Sequence, residues 1–426
     1  ATGDSGFCYC VPESFKLMAF SSYIGSFTQA TSTGNQAVTG VGFQPKALIF
    51  FSSLDAFLIN KNDALSCFGV AVSSTKRWAN CFHSDWGQTG NSSKGGFVTN
   101  KCIAGVLRFS SAVYVDADFV SMDADGFTVN NTTVDTTGSV IYFVALGGTD
   151  ISVDVGSFTI SGTGNKATTG VGFLPQMVLF SSVGNGVTGY FGAIENCIGG
   201  MTSTNQFVLG QMAQNALNPS NSKSIQLSTA VINNEWTAGT EDKAAYVSLD
   251  ADGFTINCSA NVNTPEVGYF AIKGAQFNIG KFNESTSLGN QAVTGVGFQP
   301  SLVMFLSQSK AASTSVQDTL NLMIGAAMSS SSRAVFDVED TDNVNPSQGQ
   351  NSKSATLCLE HIQATAVSNT PVLLEASDFV SMDSDGFTIN ASTVNVTGFE
   401  DAYIAIAQNA AVGDRILQRM MLMGVG

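Results

Sequence analysis

Gly34-Asn35-Gln36-Ala37-Val38-Thr39-Gly40-Val41-Gly42-Phe43-Gln44-Pro45, followed by the apolar run Ala47-Leu48-Ile49-Phe50-Phe51, comes back twice in this chain. The second copy reads Gly164-Asn165-Lys166-Ala167-Thr168-Thr169-Gly170-Val171-Gly172-Phe173-Leu174-Pro175, and the third runs from Gly289 to Pro300 with the same twelve residues as the first. The closing prolines, Pro45, Pro175 and Pro300, are 130 and 125 residues apart. A period of that length is a whole domain, not a solenoid unit. A domain written three times is expected of a scaffold that displays surface more than of an enzyme.

Further markers recur in the same order. A middle glycine stands in Phe68-Gly69-Val70, Ile198-Gly199-Gly200 and Ile324-Gly325-Ala326. A late Asp-x-Asp-Gly-Phe-Thr follows, as Asp123 to Thr128, Asp250 to Thr255 and Asp383 to Thr388, and then a last apolar run. Asp-Gly between β-rich segments is a hairpin signal, since glycine takes a positive φ without steric cost. The apolar runs after each proline are short for helices and fit strands buried on both faces. Proline suits the first position of such a strand because it donates nothing to the ladder.

The reading is therefore an all-β chain of three tandem antiparallel β-sandwich, jelly-roll-like domains, each able to bury a core of its own. Boundaries fall at 1–22 for an N-terminal arm, 23–148, 149–275 and 276–409 for the repeats, and 410–426 for a C-terminal segment. The spacing of Ile416, Leu417, Met420 and Met421 predicts a short C-terminal helix. Two readings of it stand open: packing on the third domain, or docking into a partner. Phe15 and Leu17 in the arm are candidate partner-binding residues of the same kind.

Charged residues make up 12% of the chain and the net charge is −15. That balance argues against nucleic acid, whose phosphates call for Lys and Arg. No stretch reaches the length of a membrane-spanning helix. The start, Ala1-Thr2-Gly3-Asp4, has no charged-then-apolar secretory pattern. Among the 8 cysteines, Cys67 and Cys197 are equivalent, but the third copy has Met323 there. A buried apolar slot accounts for that pattern better than an inherited disulfide, and reduced thiols are expected.

Chemistry is sparse. His83 and His361 lie at non-equivalent places, with no Gly-x-Ser-x-Gly elbow, and each reads as a surface or packing residue. Asp118, Asp123, Asp125, Asp378, Asp383 and Asp385 are calcium candidates, although tight hairpin turns explain them better. No cofactor and no catalytic residue is expected. A window that diverges between copies holds Trp78 and Trp86 in the first, Gln206 to Asn218 in the second, and Asp337, Glu339, Asp340 and Asp342 in the third. Divergence of this kind points to exposed loops. Trp78 and Trp86 are then candidates to stack on a sugar or anchor a partner; for Trp78 a place in its own core stays open. A lysine recurs as Lys223 and Lys353, with a counterpart in the first copy at Lys94 by spacing or Lys101 by the residues that follow, and suggests a domain contact or a strand start.

The repeated Gly-Asn-Gln-Ala-Val-Thr-Gly-Val-Gly-Phe-Gln-Pro, its apolar strand and the Asp-Gly-Phe-Thr close resemble a module of tailed-phage virion proteins, frequent in marine phages and found in tail-fibre-like and other particle-surface proteins. The resemblance covers nearly all of 23–409. It implies a non-enzymatic virion structural protein: a capsid decoration or attachment protein, or a tail-fibre-like component serving host attachment. It implies synthesis in the host cytoplasm and a place on the particle surface. The expected partners are other virion proteins or sister subunits in an oligomeric setting, with a host-surface glycan as a further candidate. The alternative is a secreted carbohydrate-binding adhesin or lectin.

Overall fold

A computed structural model describes residues 20–54, 61–90, 92–106, 113–184, 188–236, 239–366 and 370–409. The expected helix at 410–426, with Ile416, Leu417, Met420 and Met421, lies outside the described residues, as do Phe15 and Leu17. The described chain is all-β and antiparallel.

The first repeat supplies β1 (Ser21–Thr28), β2 (Gly34–Thr39), β3 (Pro45–Ser52), β4 (Lys61–Asn62), β5 (Ala64–Ala71), β6 (Arg77–Ser84), β7 (Ser93–Val98), β8 (Ile103–Val106), β9 (Val113–Asp123), β10 (Gly126–Thr133) and β11 (Val140–Gly147). The second supplies β12 (Ser152–Thr159), β13 (Gly164–Thr169), β14 (Met177–Val183), β15 (Gly189–Gly192), β16 (Ile194–Thr202), β17 (Gln206–Ala213), β18 (Ser222–Leu227), β19 (Ile232–Trp236), β20 (Gly239–Asp250), β21 (Gly253–Ala260) and β22 (Glu266–Lys273). The third supplies β23 (Ala275–Asn283), β24 (Gly289–Thr294), β25 (Leu302–Ser307), β26 (Gln317–Asp318), β27 (Leu320–Ser329), β28 (Ser332–Asp340), β29 (Gly349–Ser354), β30 (Leu359–Gln363), β31 (Val372–Asp383), β32 (Gly386–Thr393) and β33 (Glu400–Gln408). The first strand opens at Ser21, so the repeat begins slightly before residue 23.

Each repeat forms a 4-stranded sheet, ordered β2-β10-β9-β8 in the first, and contributes six strands to a 7-stranded sheet ordered β1-β11-β3-β5-β6-β7-β15. The seventh strand is borrowed. β15 of the second repeat pairs with β7 of the first, β26 of the third with β18 of the second, and β4 of the first with β29 of the third. The fourth strand of every repeat is thus given to the preceding one, and the donation closes in a cycle.

The apolar runs show why. Side chains alternate across a strand, and here both faces are covered. Leu48 and Phe50 of β3 meet Phe119, Phe127 and Val129 of the small sheet in a core private to the first repeat. Ala47, Ile49 and Phe51 point the other way, into a cluster shared by all three repeats. Val178 and Phe180 against Leu179 in β14, and Val303 and Phe305 against Met304 and Leu306 in β25, divide likewise. Each unit therefore does not bury a core wholly its own: one face of each large sheet packs in its own repeat and the other in the cluster shared by all three.

The repeated markers are the parts of this frame that no other residue can fill. A Cβ at Gly126 would lie 1.9 Å from the Val38 carbonyl oxygen, and Gly253 and Gly386 stand in the same relation to Thr168 and Val293. At the middle glycines, Gly69, Gly199 and Gly325, a Cβ would lie within 2.1 Å of the carbonyl oxygen of Cys102, Val231 or Cys358. Cys67, Cys197 and Met323 are buried, and the six described cysteines are unpaired.

Candidate functional site

The seams between repeats hold many polar side chains that the fold takes out of water. Between the first and second, Trp78 Nε1 donates to the Tyr269 carbonyl at 3.1 Å, Asn80 Nδ2 to Ser181 Oγ at 2.7 Å, and Tyr190 Oη to Asp116 Oδ1 at 2.6 Å. Burial pushes the Asp116 carboxyl up to about 6, despite the Tyr190 hydrogen bond and nearby Lys101. Between second and third, Lys223 Nζ reaches Asp318 at 2.8 Å and Asp342 at 2.7 Å, and Ser222 Oγ donates to Asp340. The ring closes where Trp86 Nε1 donates to the Thr365 carbonyl at 2.8 Å, Ser347 Oγ donates to Asp85 at 3.1 Å, and the Phe51 and Phe336 rings stack.

These contacts correct the reading of the divergent window. It is not a set of exposed loops but largely strands β6, β17 and β28, which face the shared core and the seams. Trp78 is fully buried against Phe68 and Phe97, so it offers nothing to a sugar or a partner. Trp86 is half-buried with its indole N–H spent inside the molecule. Asp337, Glu339 and Asp340 are buried; burial pushes Asp337 up to about 8 and Glu339 up to about 7. Strand register pairs Lys94 with Gly192 and Lys223 with Asp318, and gives the same place in the third repeat to Gln350, opposite Asn62. Lys353, which the sequence motif aligned with them, sits three residues further along its strand.

The calcium candidates are placed by their turns. Asp123 accepts from Ser121 Oγ and Thr128 Oγ1, both at 2.7 Å, while Asp125 accepts from Gly40 N at 3.1 Å and Gly42 N at 2.6 Å. Asp383 and Asp385 repeat this with Ser381, Thr388, Gly295 and Gly297. All four carboxylate oxygens of each turn are used by donors of their own repeat. Asp118 takes Arg77 and Lys101, and Asp378 takes Arg333. The turns pin the opening motif to the closing one, which explains why both recur together.

Neither histidine lies at the surface. His83 is buried, with Nε2 3.6 Å from Asp63. His361 on β30 stands at the centre of an acidic cluster in the third repeat: Nε2 is 2.7 Å from Glu284 Oε1 and 3.4 Å from Asp401 Oδ1, and Nδ1 is 2.8 Å from Ser309 Oγ. Glu375 lies directly opposite His361 across β30 and β31. Burial alone would lower the imidazole pKa, but the charges of Asp401 and Glu284 outweigh it and hold the ring well above its ordinary value. Burial, and then the Asp401 charge, push Glu284 well up. No sequence motif marks this group, because its members come from five separate strands and loops.

Ser309, His361 and Glu284 have the connectivity of a serine–histidine–acid relay. The positive φ of Ser309, 54°, is matched by 50° at Leu54, its counterpart in the first repeat. The strain therefore belongs to the turn and not to a nucleophile. His361 is inaccessible and Ser309 2% exposed, leaving no approach for a substrate carbonyl. The relay geometry does not make an active site here.

Among the described residues no helix is long and apolar enough to cross a membrane. No family model matches the chain, and no curated protein matches it. Among solved structures, an anion-selective porin from Comamonas acidovorans aligns over 91% of this chain and 98% of its own at 8% identity, with a TM-score of 0.10. A score that low describes no shared fold.

Proposed function

We propose that the protein is a non-enzymatic structural component of a bacteriophage particle, a single chain of three jelly-roll-like β-sandwiches occupying the place of a homotrimer. The observation that carries this is the cyclic donation of β15, β26 and β4, which closes three copies of one unit around one core. A ring of like units gives a footprint of near threefold symmetry, suited to a particle position with that symmetry, as a decoration or attachment protein or as part of a tail fibre.

The termini fit this role. Phe20, Ile151 and Ala275 enter the shared core at corresponding places, at the starts of β1, β12 and β23, and β33 ends beside β23 at Gln408 opposite Ala275. The described chain therefore begins and ends at the end of the ring where the repeats are joined. Docking through Phe15, Leu17, Ile416, Leu417, Met420 and Met421 would attach that end to other virion proteins or sister subunits. The opposite end would then face outward at the particle surface.

Quantitative mass spectrometry of purified particles tests the reading. Many copies per particle mean decoration, a few mean tail or vertex, and absence from the particle overturns it. The adhesin or lectin alternative has one specific observation in its favour: a cleft of about 350 Å³ between the second and third repeats, lined by Gln226, Tyr246, Lys281 and Glu400. Glycan-array binding lost on Tyr246→Ala would move the assignment there.

A further inference from the structure

We propose that Glu284, His361 and Asp401 bind one divalent transition-metal ion, zinc by its ligand chemistry, in the interior of the third repeat. Their ligand atoms lie within 4.8 Å of one another and all three residues are buried. Tetrahedral zinc with ligands at about 2.0–2.2 Å spaces them about 3.3 Å apart. His361 Nε2 and Glu284 Oε1, now 2.7 Å apart, need only a small separation. Glu375 faces His361 across the strand pair but lies outside the three whose ligand atoms cluster, so its carboxylate would have to move to supply a fourth ligand. An imidazole among carboxylates favours zinc or a neighbouring transition metal over calcium.

Three observations separate this group from an ordinary buried ion pair. First, Asp401 is fully buried and its carboxylate is held only within this group, with His361 Nε2 at 3.4 Å, a donor that Glu284 already takes at 2.7 Å, so it is poorly satisfied. Leaving such an acceptor unsatisfied is costly, and a cation removes the cost. Second, the other repeats build the same frame without these residues. The strand registers place Gln29, Gly105 and Ile141 of the first repeat, and Ile160, Asn234 and Val267 of the second, where the third has Glu284, His361 and Asp401. At the Glu375 position the first repeat has Val115 and the second Asp242. In the first repeat the His361 place is filled by an apolar side chain: a Cβ on Gly105 would lie 2.5 Å from the Leu54 side chain. The fold therefore does not require the acidic set. Third, the remaining imidazole nitrogen is already oriented by Ser309 Oγ at 2.8 Å, as in metal-bound histidines, and Phe399 packs edge-on against the ring.

The charges balance. Without metal, three carboxyl groups surround one imidazolium, and burial keeps protons on part of the set. Zinc with Glu284 and Asp401 ionised and His361 neutral is uncharged overall. Metal ligands bind in their deprotonated form, so occupancy should fall on acidification. Because the site is enclosed, the ion enters as the chain folds.

The test uses the full chain, unfolded and refolded with either zinc chloride or a chelator, with metal content measured by plasma mass spectrometry after desalting. Binding predicts about one ion per chain after refolding with zinc, and a lower melting temperature for the chelator-refolded protein. Cobalt in place of zinc should give visible absorption bands typical of four-coordination. Asp401→Val and His361→Asn, the residues of the second repeat, should abolish both signals. If either variant fails to fold, the wild-type comparison still decides. Less than about a tenth of an ion per chain, with equal melting temperatures in zinc and in chelator, overturns the proposal.

Discussion

Replacing Trp78 by Ala tests whether the three repeats share one core. The side chain is fully buried between Phe68 and Phe97, and its indole N–H reaches the Tyr269 carbonyl of the next repeat. Its space is provided by Gly268, where a Cβ would lie 2.8 Å from the indole ring. Emptying such a site costs about 3–5 kcal/mol, and the lost hydrogen bond adds about 1. The unfolding entropy near the midpoint is about 2.1 cal/mol/K per residue, or about 0.9 kcal/mol/K if all 426 residues unfold together. The expected fall in Tm is then about 4–7 °C, in a single calorimetric transition. Were one repeat of about 125 residues to unfold by itself, the same loss would lower its own transition by about 15–23 °C and leave the others in place. Differential scanning calorimetry separates the two. Several resolved transitions with only one displaced would refute the shared-core argument.

Three other expectations follow from the same contacts. Residues 20–148 expressed alone should not give a folded monomer by size-exclusion chromatography with light scattering, because Ile49, Phe51, Val144 and Leu146 would lose their cover; a stable, soluble monomer would contradict this. Gly126→Ala should cost at least about 1–3 kcal/mol from backbone strain alone, read by urea denaturation, since the added Cβ would lie 1.9 Å from the Val38 carbonyl oxygen at a φ of +148°. Asp116 is held up to about 6, by burial first, among Tyr190, Lys101, Asp118 and the thiols of Cys67 and Cys81. Between about pH 4 and 6 the unfolded chain has lost this proton while the folded chain keeps it, so stability falls as pH rises through that window. Asp116→Asn should therefore gain in Tm relative to wild type from about pH 4 to pH 7; a constant difference across that range would refute the assignment.

What the sequence made legible is what all three copies must share. The Asp125–Gly126 turn, the carbonyl contact at Gly69 and the two-faced strands after Pro45, Pro175 and Pro300 are dictated within one repeat, so duplication preserved them. What it concealed lies where one repeat meets another. In a true homotrimer a side chain near the axis must tolerate two copies of itself. A single chain is free of that condition, so Trp78, Phe207 and Ala334 can occupy corresponding places, and so can Tyr142, Gly268 and Ala402. Large meets small across the seam between the first and second repeats, where Trp78 packs on Gly268. This complementary drift produces the variability usually read as a surface loop, and it misplaced Trp78 and the acids of β28 in the sequence analysis. The His361 cluster was hidden for a related reason. Glu284, Ser309, His361, Glu375 and Asp401 are widely separated in sequence, and their trace is that the other two copies lack Glu284, Ser309, His361 and Asp401, while the second keeps an acid, Asp242, at the Glu375 place. In a duplicated chain, a polar set confined to one copy and buried in all its members has no role in the frame common to the three, and that is where a function particular to the third repeat should be sought.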